Sequence, residues 1–231
     1  MNFEVHFYLA LLRVKTLRII GKMTNFRDTQ HLTLSSEKWK VDLVYESGYS
    51  AKKTIEAKEG DILIELSEHR EWHSCLQISL EDGNSKHICI VTGIIGSTHL
   101  QKSSVDEKGH TVKIDYDNLV LSLGQHFISI DLNQLKLNWK LEPDLAEVFE
   151  FYDLDNDYLL RGELEIHRID KAGNVKWSFS GADIWVNLEG RPEVEITENS
   201  IKLIDFKSDE YEIDFEGKEL NTSYNKGGYQ H

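Results

Sequence analysis

Two prolines, two cysteines and no apolar run long enough to cross a bilayer mark this 231-residue chain more than any motif does. So little cysteine, with no export signal, excludes a disulfide framework and points to a cytoplasmic protein with Cys75 and Cys89 as free thiols. The two cysteines flank the turn sequence EDGNS, which puts them on neighbouring strands of one hairpin. Bases are also short: 26 Lys and Arg face 40 Asp and Glu, for a net charge of −14. That balance repels phosphate backbones and anionic membrane surfaces, so neither nucleic acid nor membrane is an expected partner. A G-x-S-x-G elbow is missing, and GIIGS at 93–97 has neither the glycine spacing nor the Lys of a phosphate loop. No catalytic, cofactor-binding or metal-binding residue is therefore assigned, and no cofactor is expected.

What is present is a globular composition, 40% hydrophobic and 29% charged, in a chain long enough to bury its own core. Residues 1–23 differ in sign, carrying Arg13, Lys15, Arg18 and Lys22 against Glu4, a net +3 that leaves −17 for the remainder. They suit neither a signal peptide nor a membrane span, and they read as an N-terminal extension with Met23 the expected natural start. Residues 24–220 have no low-complexity break and read as one domain. Residues 221–231, without periodicity, read as a disordered tail.

Through the domain the apolar residues alternate. Trp39, Val41, Leu43 and Tyr45 share one strand face, as do Leu76, Ile78 and Leu80; Leu135, Leu137, Trp139 and Leu141; Val175, Trp177 and Phe179; and Tyr211, Ile213 and Phe215. Period two predicts antiparallel sheets with one buried face. Turn sequences at 81–84, 170–174, 188–192 and 215–219 punctuate short strands. Only EPDLAEVFEF is ambiguous between a short helix and a strand.

Three segments are similar to one another, beginning at Asn118, Asp157 and Asn199, so 39 and 42 residues apart. Each reads strand, strand ending in Asp, turn, strand, and the first two carry a Trp eight and seven residues after that Asp (Asp131 to Trp139, Asp170 to Trp177). A period near forty with several strands per unit fits propeller blades. FISIDLNQLKLNWKL and LEIHRIDKAGNVKWSFSG resemble the repeats of quinoprotein-type β-propellers, in which a strand ends in Asp, a Gly-bearing turn follows and the next strand carries Trp. The resemblance covers 118–220 and departs from the pattern twice, at Gln134–Leu135 in place of Thr-Gly and at Asn221 in place of Trp. It implies a local fold and no cofactor site. The expected class is all-β, a small or irregular propeller-like set of antiparallel sheets, with a two-sheet β-sandwich as the alternative because residues before about 100 do not repeat clearly.

DLDNDYLLRGEL (153–164) has the Asp spacing of a calcium loop, yet Tyr158 and Leu164 stand where the Gly and the bidentate Glu belong. It reads as an acidic turn whose aspartates bond to nearby backbone amides. In EHREWHSC, His69, Glu71, His73 and Cys75 are metal-ligand types on one strand face, but without a helical frame they read as a polar hairpin end. Trp139 and Trp177 are expected between sheets. Trp185 is out of phase with Ile184, Val186 and Leu188, and is the candidate binding residue on the surface. Together these point to a non-enzymatic acidic module that binds a protein, a basic one in the sharpest form, such as an immunity protein neutralising a basic toxin. The alternative is a hydrolase or carbohydrate-binding propeller with its site at the blade ends.

Overall fold

The computed structural model describes residues 29–49, 62–66, 73–82, 85–93, 100 and 109–224, and every regular element among them is a strand. The first sheet contains β1 (Thr29–Ser35), β2 (Lys40–Tyr49), β3 (Ile62–Glu65), β4 (His73–Asp82) and β5 (Ser85–Gly93), in the order β1-β2-β4-β5-β3. Three antiparallel four-stranded sheets follow, each in simple up-and-down order. Blade 1 is β6 (Val112–Asp115), β7 (Asn118–Leu123), β8 (His126–Asp131) and β9 (Lys136–Leu141). Blade 2 is β10 (Val148–Leu154), β11 (Asp157–Gly162), β12 (Glu165–Asp170) and β13 (Val175–Ser180). Blade 3 is β14 (Val194–Ile196), β15 (Ile201–Ile204), β16 (Glu210–Ile213) and β17 (Glu219–Ser223). The chain is all-β and propeller-like, and the repeats seen in the sequence are blades.

The sheets stack face to face. One core cluster joins Val41, Leu43, Tyr45, Ile78 and Leu80 of the first sheet to Leu119, Leu121, Ile128 and Ile130 of blade 1. A second joins Val120 and Phe127 of blade 1 to Phe151, Tyr158, Leu160 and Ile169 of blade 2. A third joins Leu159 and Ile166 of blade 2 to Ile201, Leu203, Tyr211 and Ile213 of blade 3. Blades 1 and 2 are thus apolar on both faces, as a sheet between two others must be.

Blade-to-blade geometry repeats in detail. In each blade the register of the two outer strands slips by one residue, after Ser129, Arg168 and Glu212. The strand residues opposite these three are Trp139, Trp177 and Asn221. Trp139 donates its Nε1 hydrogen to the Lys171 carbonyl of the next blade at 3.1 Å, and Trp177 does the same to Phe215 at 2.9 Å. Both acceptors directly follow an aspartate at the strand's end, Asp170 as the last residue of β12 and Asp214 just after β16. Asp170 accepts from the Ala172 and Asn174 amides, and Asp214 from the Glu216 and Lys218 amides, which closes each turn. The indoles lie on Gly173 (φ 86) and Gly217 (φ 80), where an added Cβ would come within 2.7 and 2.6 Å of ring carbons. Glycine is required there twice over, for its backbone and for its missing side chain.

Several expectations change. The slip puts Leu137 and Val175 on the face opposite Trp139 and Trp177, where both are substantially exposed, so the strict alternation over 135–141 and 175–179 is broken by a bulge. Pairing of Leu119, Tyr158 and Ile201 with Ile130, Ile169 and Ile213 sets the third repeat one residue later than a start at Asn199. The first sheet is not wholly antiparallel, because β3 runs parallel to β5. EPDLAEVFEF supplies a loop and then β10. Strand β17 continues to Ser223, three residues into the segment read as a tail, and 225–231 and 1–28 lie outside the described residues. Cys75 sits opposite Thr92 and Cys89 opposite Ile78, a stagger of about 10 Å along the hairpin that exceeds disulfide reach.

Trp185 is the largest correction. It is wholly buried, in the connection from β13 to β14, with Tyr211 edge-on at 5.4 Å and Phe179 at 6.1 Å. Arg161, held bidentate by Glu150, also donates to the Trp185 carbonyl and fixes that connection. A connecting residue reads as exposed when periodicity is the guide, but this loop folds back over the end of the interblade core. The stability order of the tryptophans follows. Trp185→Ala is expected to cost about 3–5 kcal/mol, and Trp139→Ala or Trp177→Ala, on half-buried indoles, nearer ~2 kcal/mol each. Denaturant midpoints of the three variants check this; a Trp185→Ala midpoint at or above the other two would contradict the packing.

Candidate functional site

The calcium-like loop is a β-hairpin. Asp155 has φ 53 at the turn between β10 and β11. Its aspartates bond to cationic side chains rather than to the backbone amides expected of them. Asp153 meets Lys113 of blade 1, with His110 at 3.7 Å, and Asp157 takes Arg168 and Lys176, the latter at 2.8 Å. Hydrogen bonding to His110 and Lys113 holds the Asp153 carboxyl well below the usual carboxylate range, against the effect of burial. Asp115 is likewise lowered: burial opposes it, but Lys171 at 2.8 Å and the Tyr158 hydroxyl outweigh that. This end of blades 1 and 2 is a set of satisfied ion pairs that ties β6, β10 and the Lys171 turn together. Arg168 extends it by donating to the Phe215 carbonyl of blade 3 at 2.7 Å.

Of the candidate metal quartet, His69 and Glu71 lie outside the described residues. His73 and Cys75 fall on β4, opposite Tyr49 and Glu46.

Asp205, with Asp209 beside it, has a carboxyl pushed up by burial. It accepts from the Lys207 and Asp209 amides at 2.9 Å each and from the Tyr211 hydroxyl at 2.9 Å. That is the same Asp-closed turn found at Asp170 and Asp214, with a tyrosine added, and both carboxylates are buried within it.

Among the described residues, the sheet face that no other sheet covers is on blade 3. Register aligns one transverse row in all three blades: Lys113–Val120–Ser129–Trp139, then Tyr152–Leu159–Arg168–Trp177, then Glu195–Lys202–Glu212–Asn221. A neighbouring row gives Phe127–Leu141, Ile166–Phe179 and Glu210–Ser223. In blades 1 and 2 these rows pack on the following blade. In blade 3 the side chains equivalent to Val120, Phe127, Trp139 and Leu141 are Lys202, Glu210, Asn221 and Ser223. A groove of about 270 Å³ runs over this face between Glu195, Lys202, Glu212 and Asn221. A second of about 280 Å³ adjoins it beside Arg191, Glu210 and Tyr224. Arg191 pairs with Glu210, and Ser200 donates to Glu212 at 2.6 Å, while Glu195 and Lys202 are exposed.

Charge follows the same division. Residues 182–224 hold twelve acidic against four basic side chains, net −8, whereas 109–147 and 148–181 are each −3. The row was missed at the level of sequence, although Asn221 in a tryptophan position was its visible sign.

No protein-family model matches the chain, and no curated protein does. Among solved structures it is similar to BamB from Moraxella catarrhalis, at 10% identity and TM-score 0.41 over 84% of this chain and 63% of that one. It is also similar to apo AztD from Citrobacter koseri, at 13% identity and TM-score 0.42 over 85% and 60%. The computationally designed Ika8 protein matches at 10% identity and TM-score 0.39 over 83% and 60%. The chain thus spans about three fifths of the length of these structures. So loose a likeness carries no function, and the blade architecture rests on the sheets themselves.

Two buried histidines generate a pH dependence. His126, beside Glu142, and His167, hydrogen-bonded to Ser178 at 2.8 Å, both have their pKa lowered, first by desolvation and against the attraction of nearby carboxylates. A lowered folded pKa means that the unfolded chain takes up the proton first. The stability tied to these groups is full above the ordinary value of 6.5 and is lost as pH falls below it. Asp115, Asp153 and Asp157, also lowered, add a loss that begins near their ordinary value of 3.8. Urea midpoints are expected to fall from pH 7 to pH 5 and more steeply below pH 4, with the upper part flattened in a His126→Gln/His167→Gln variant. Midpoints that rise as pH drops from 7 to 5 would contradict this.

Proposed function

We propose that the chain is a non-enzymatic acidic module of the cytoplasm that binds a basic protein partner, in its sharpest form an immunity protein that neutralises a basic toxin. The observation that supports it is the uneven charge: net −8 over residues 182–224, on the blade whose outward face is polar. Asp183, Asp205 and Asp214 of that segment are taken up in pairs and turns, as Asp115, Asp153, Asp157 and Asp170 are elsewhere, but Glu189, Glu195, Glu198, Glu210, Glu216 and Glu219 are exposed. A concentrated charge of one sign steers an oppositely charged protein and adds little to folding. No described helix is long and apolar enough to cross a membrane, which is compatible with this reading.

The hydrolase or carbohydrate-binding alternative calls for a raised carboxyl facing a concave pocket. Asp205 has a raised carboxyl, and its oxygens are taken up inside a turn.

Surface plasmon resonance on the immobilised full chain tests the proposal, with pancreatic ribonuclease as a basic protein probe and α-lactalbumin as an acidic one. The basic probe is expected to bind, with an on-rate falling about tenfold between ~50 and ~200 mM salt, and the acidic one not to bind. Equal binding of both, or an on-rate indifferent to salt, would sink the reading.

A further inference from the structure

We infer that the outward face of blade 3 is the docking surface, and that its occupant is an extended, arginine-rich segment of a protein partner; the inference rests on the acidic-module reading above. Three observations converge on it. The face is concave, with a groove of about 270 Å³ along its middle. It is an unpartnered sheet face among the described residues: the equivalent faces of blades 1 and 2 are covered by the next blade, and no described sheet covers this one. Its chemistry is also inverted position by position, from Val120, Phe127, Trp139 and Leu141 in blade 1 to Lys202, Glu210, Asn221 and Ser223. A face with that polarity rejects another apolar blade: Glu210 is paired with Arg191 and Glu212 accepts from Ser200, but burying Glu195 and Lys202 under an apolar sheet, and desolvating the paired groups beside them, costs more than the contact returns.

The arrangement favours guanidinium groups. Glu195 and Glu212 stand on β14 and β16, in one row, with Lys202 on β15 between them. Two strand spacings separate the carboxylates by about 10 Å. Lys202 can swing outward on its flexible stem, and incoming arginines then meet a carboxylate on either side in a bidentate geometry that lysine does not offer. Asn221 and Ser223 on β17 add neutral partners for the segment's backbone. An extended occupant suits a groove that runs across strands and is only one sheet wide.

The test is fluorescence anisotropy of a labelled octa-arginine peptide titrated with the full chain at low salt. The wild type is expected to bind it saturably at one to one. Glu195→Lys should weaken binding at least tenfold, whereas Asp155→Lys, the same charge change on the exposed blade 2 hairpin, should weaken it less than twofold. Asn221→Trp restores the residue of the sibling blades and fills the groove at constant charge, and it should also weaken binding severalfold. Urea midpoints equal to wild type establish that each variant is folded. Equal losses for Glu195→Lys and Asp155→Lys, or full binding by Asn221→Trp, overturn the docking face and leave the acidic module standing. No binding by the wild type overturns both.

Discussion

The contact on which the architecture depends is a tryptophan of one blade lying on the glycine turn of the next. It needs four things at once. An aspartate must close the turn through its own backbone amides, and a left-handed glycine must leave room above it. A one-residue slip between the outer strands must swing the following side chain to the forward face, and an indole must reach the carbonyl beyond the aspartate. None of these is strong alone. Together they fix the spacing and angle of neighbouring sheets, whose apolar clusters would otherwise slide, since hydrophobic packing has little directional preference.

Blades 1 and 3 each depart from the repeat in step with the neighbour described beside them. Blade 1 receives the first sheet instead of a blade, and its turn is one residue longer, with Leu135 in the left-handed position at φ 53. Leu132 and Leu135 are buried in the cluster shared with Trp39, whose Nε1 donates to the Asp117 carboxylate at 2.9 Å. The turn that departs from the repeat pattern is the one with no blade tryptophan above it. Blade 3 shows the converse, having no described turn in front of it and Asn221 where the indole would stand.

Much of this was legible in the sequence. Period-two alternation gave the strands, and the Asp-to-Trp interval gave the blades and the equivalence of Trp139 with Trp177, because both patterns reflect contacts within about eight residues. The bulge was not legible, since one inserted residue leaves the composition of a strand unchanged and only reverses which face Leu137 and Val175 occupy. Trp185 was misread for a related reason: its burial comes from a loop folding back on Phe179 and Tyr211, a contact without period. The outward row of blade 3 lay between these cases. Its residues are plain once the third repeat is shifted by one position, and without that shift Lys202 falls on the wrong face.

Placement of the acidic surplus then has a physical reason. A carboxylate on the forward face of blade 1 or 2 would enter an interblade core, where it must find a cation or lose its charge. The buried acids there have done the former, as Asp157 has with Arg168 and Lys176, and Glu150 with Arg161. Blade 3 has the apolar backward face that the stack demands, built from Val194, Ile201, Leu203, Tyr211 and Ile213, and a forward face on which no described sheet packs. Charge can accumulate there at little cost to the fold. A sheet whose two faces answer to different requirements, one to the core and one to whatever approaches from outside, is where selection for a partner can act without disturbing the blades behind it.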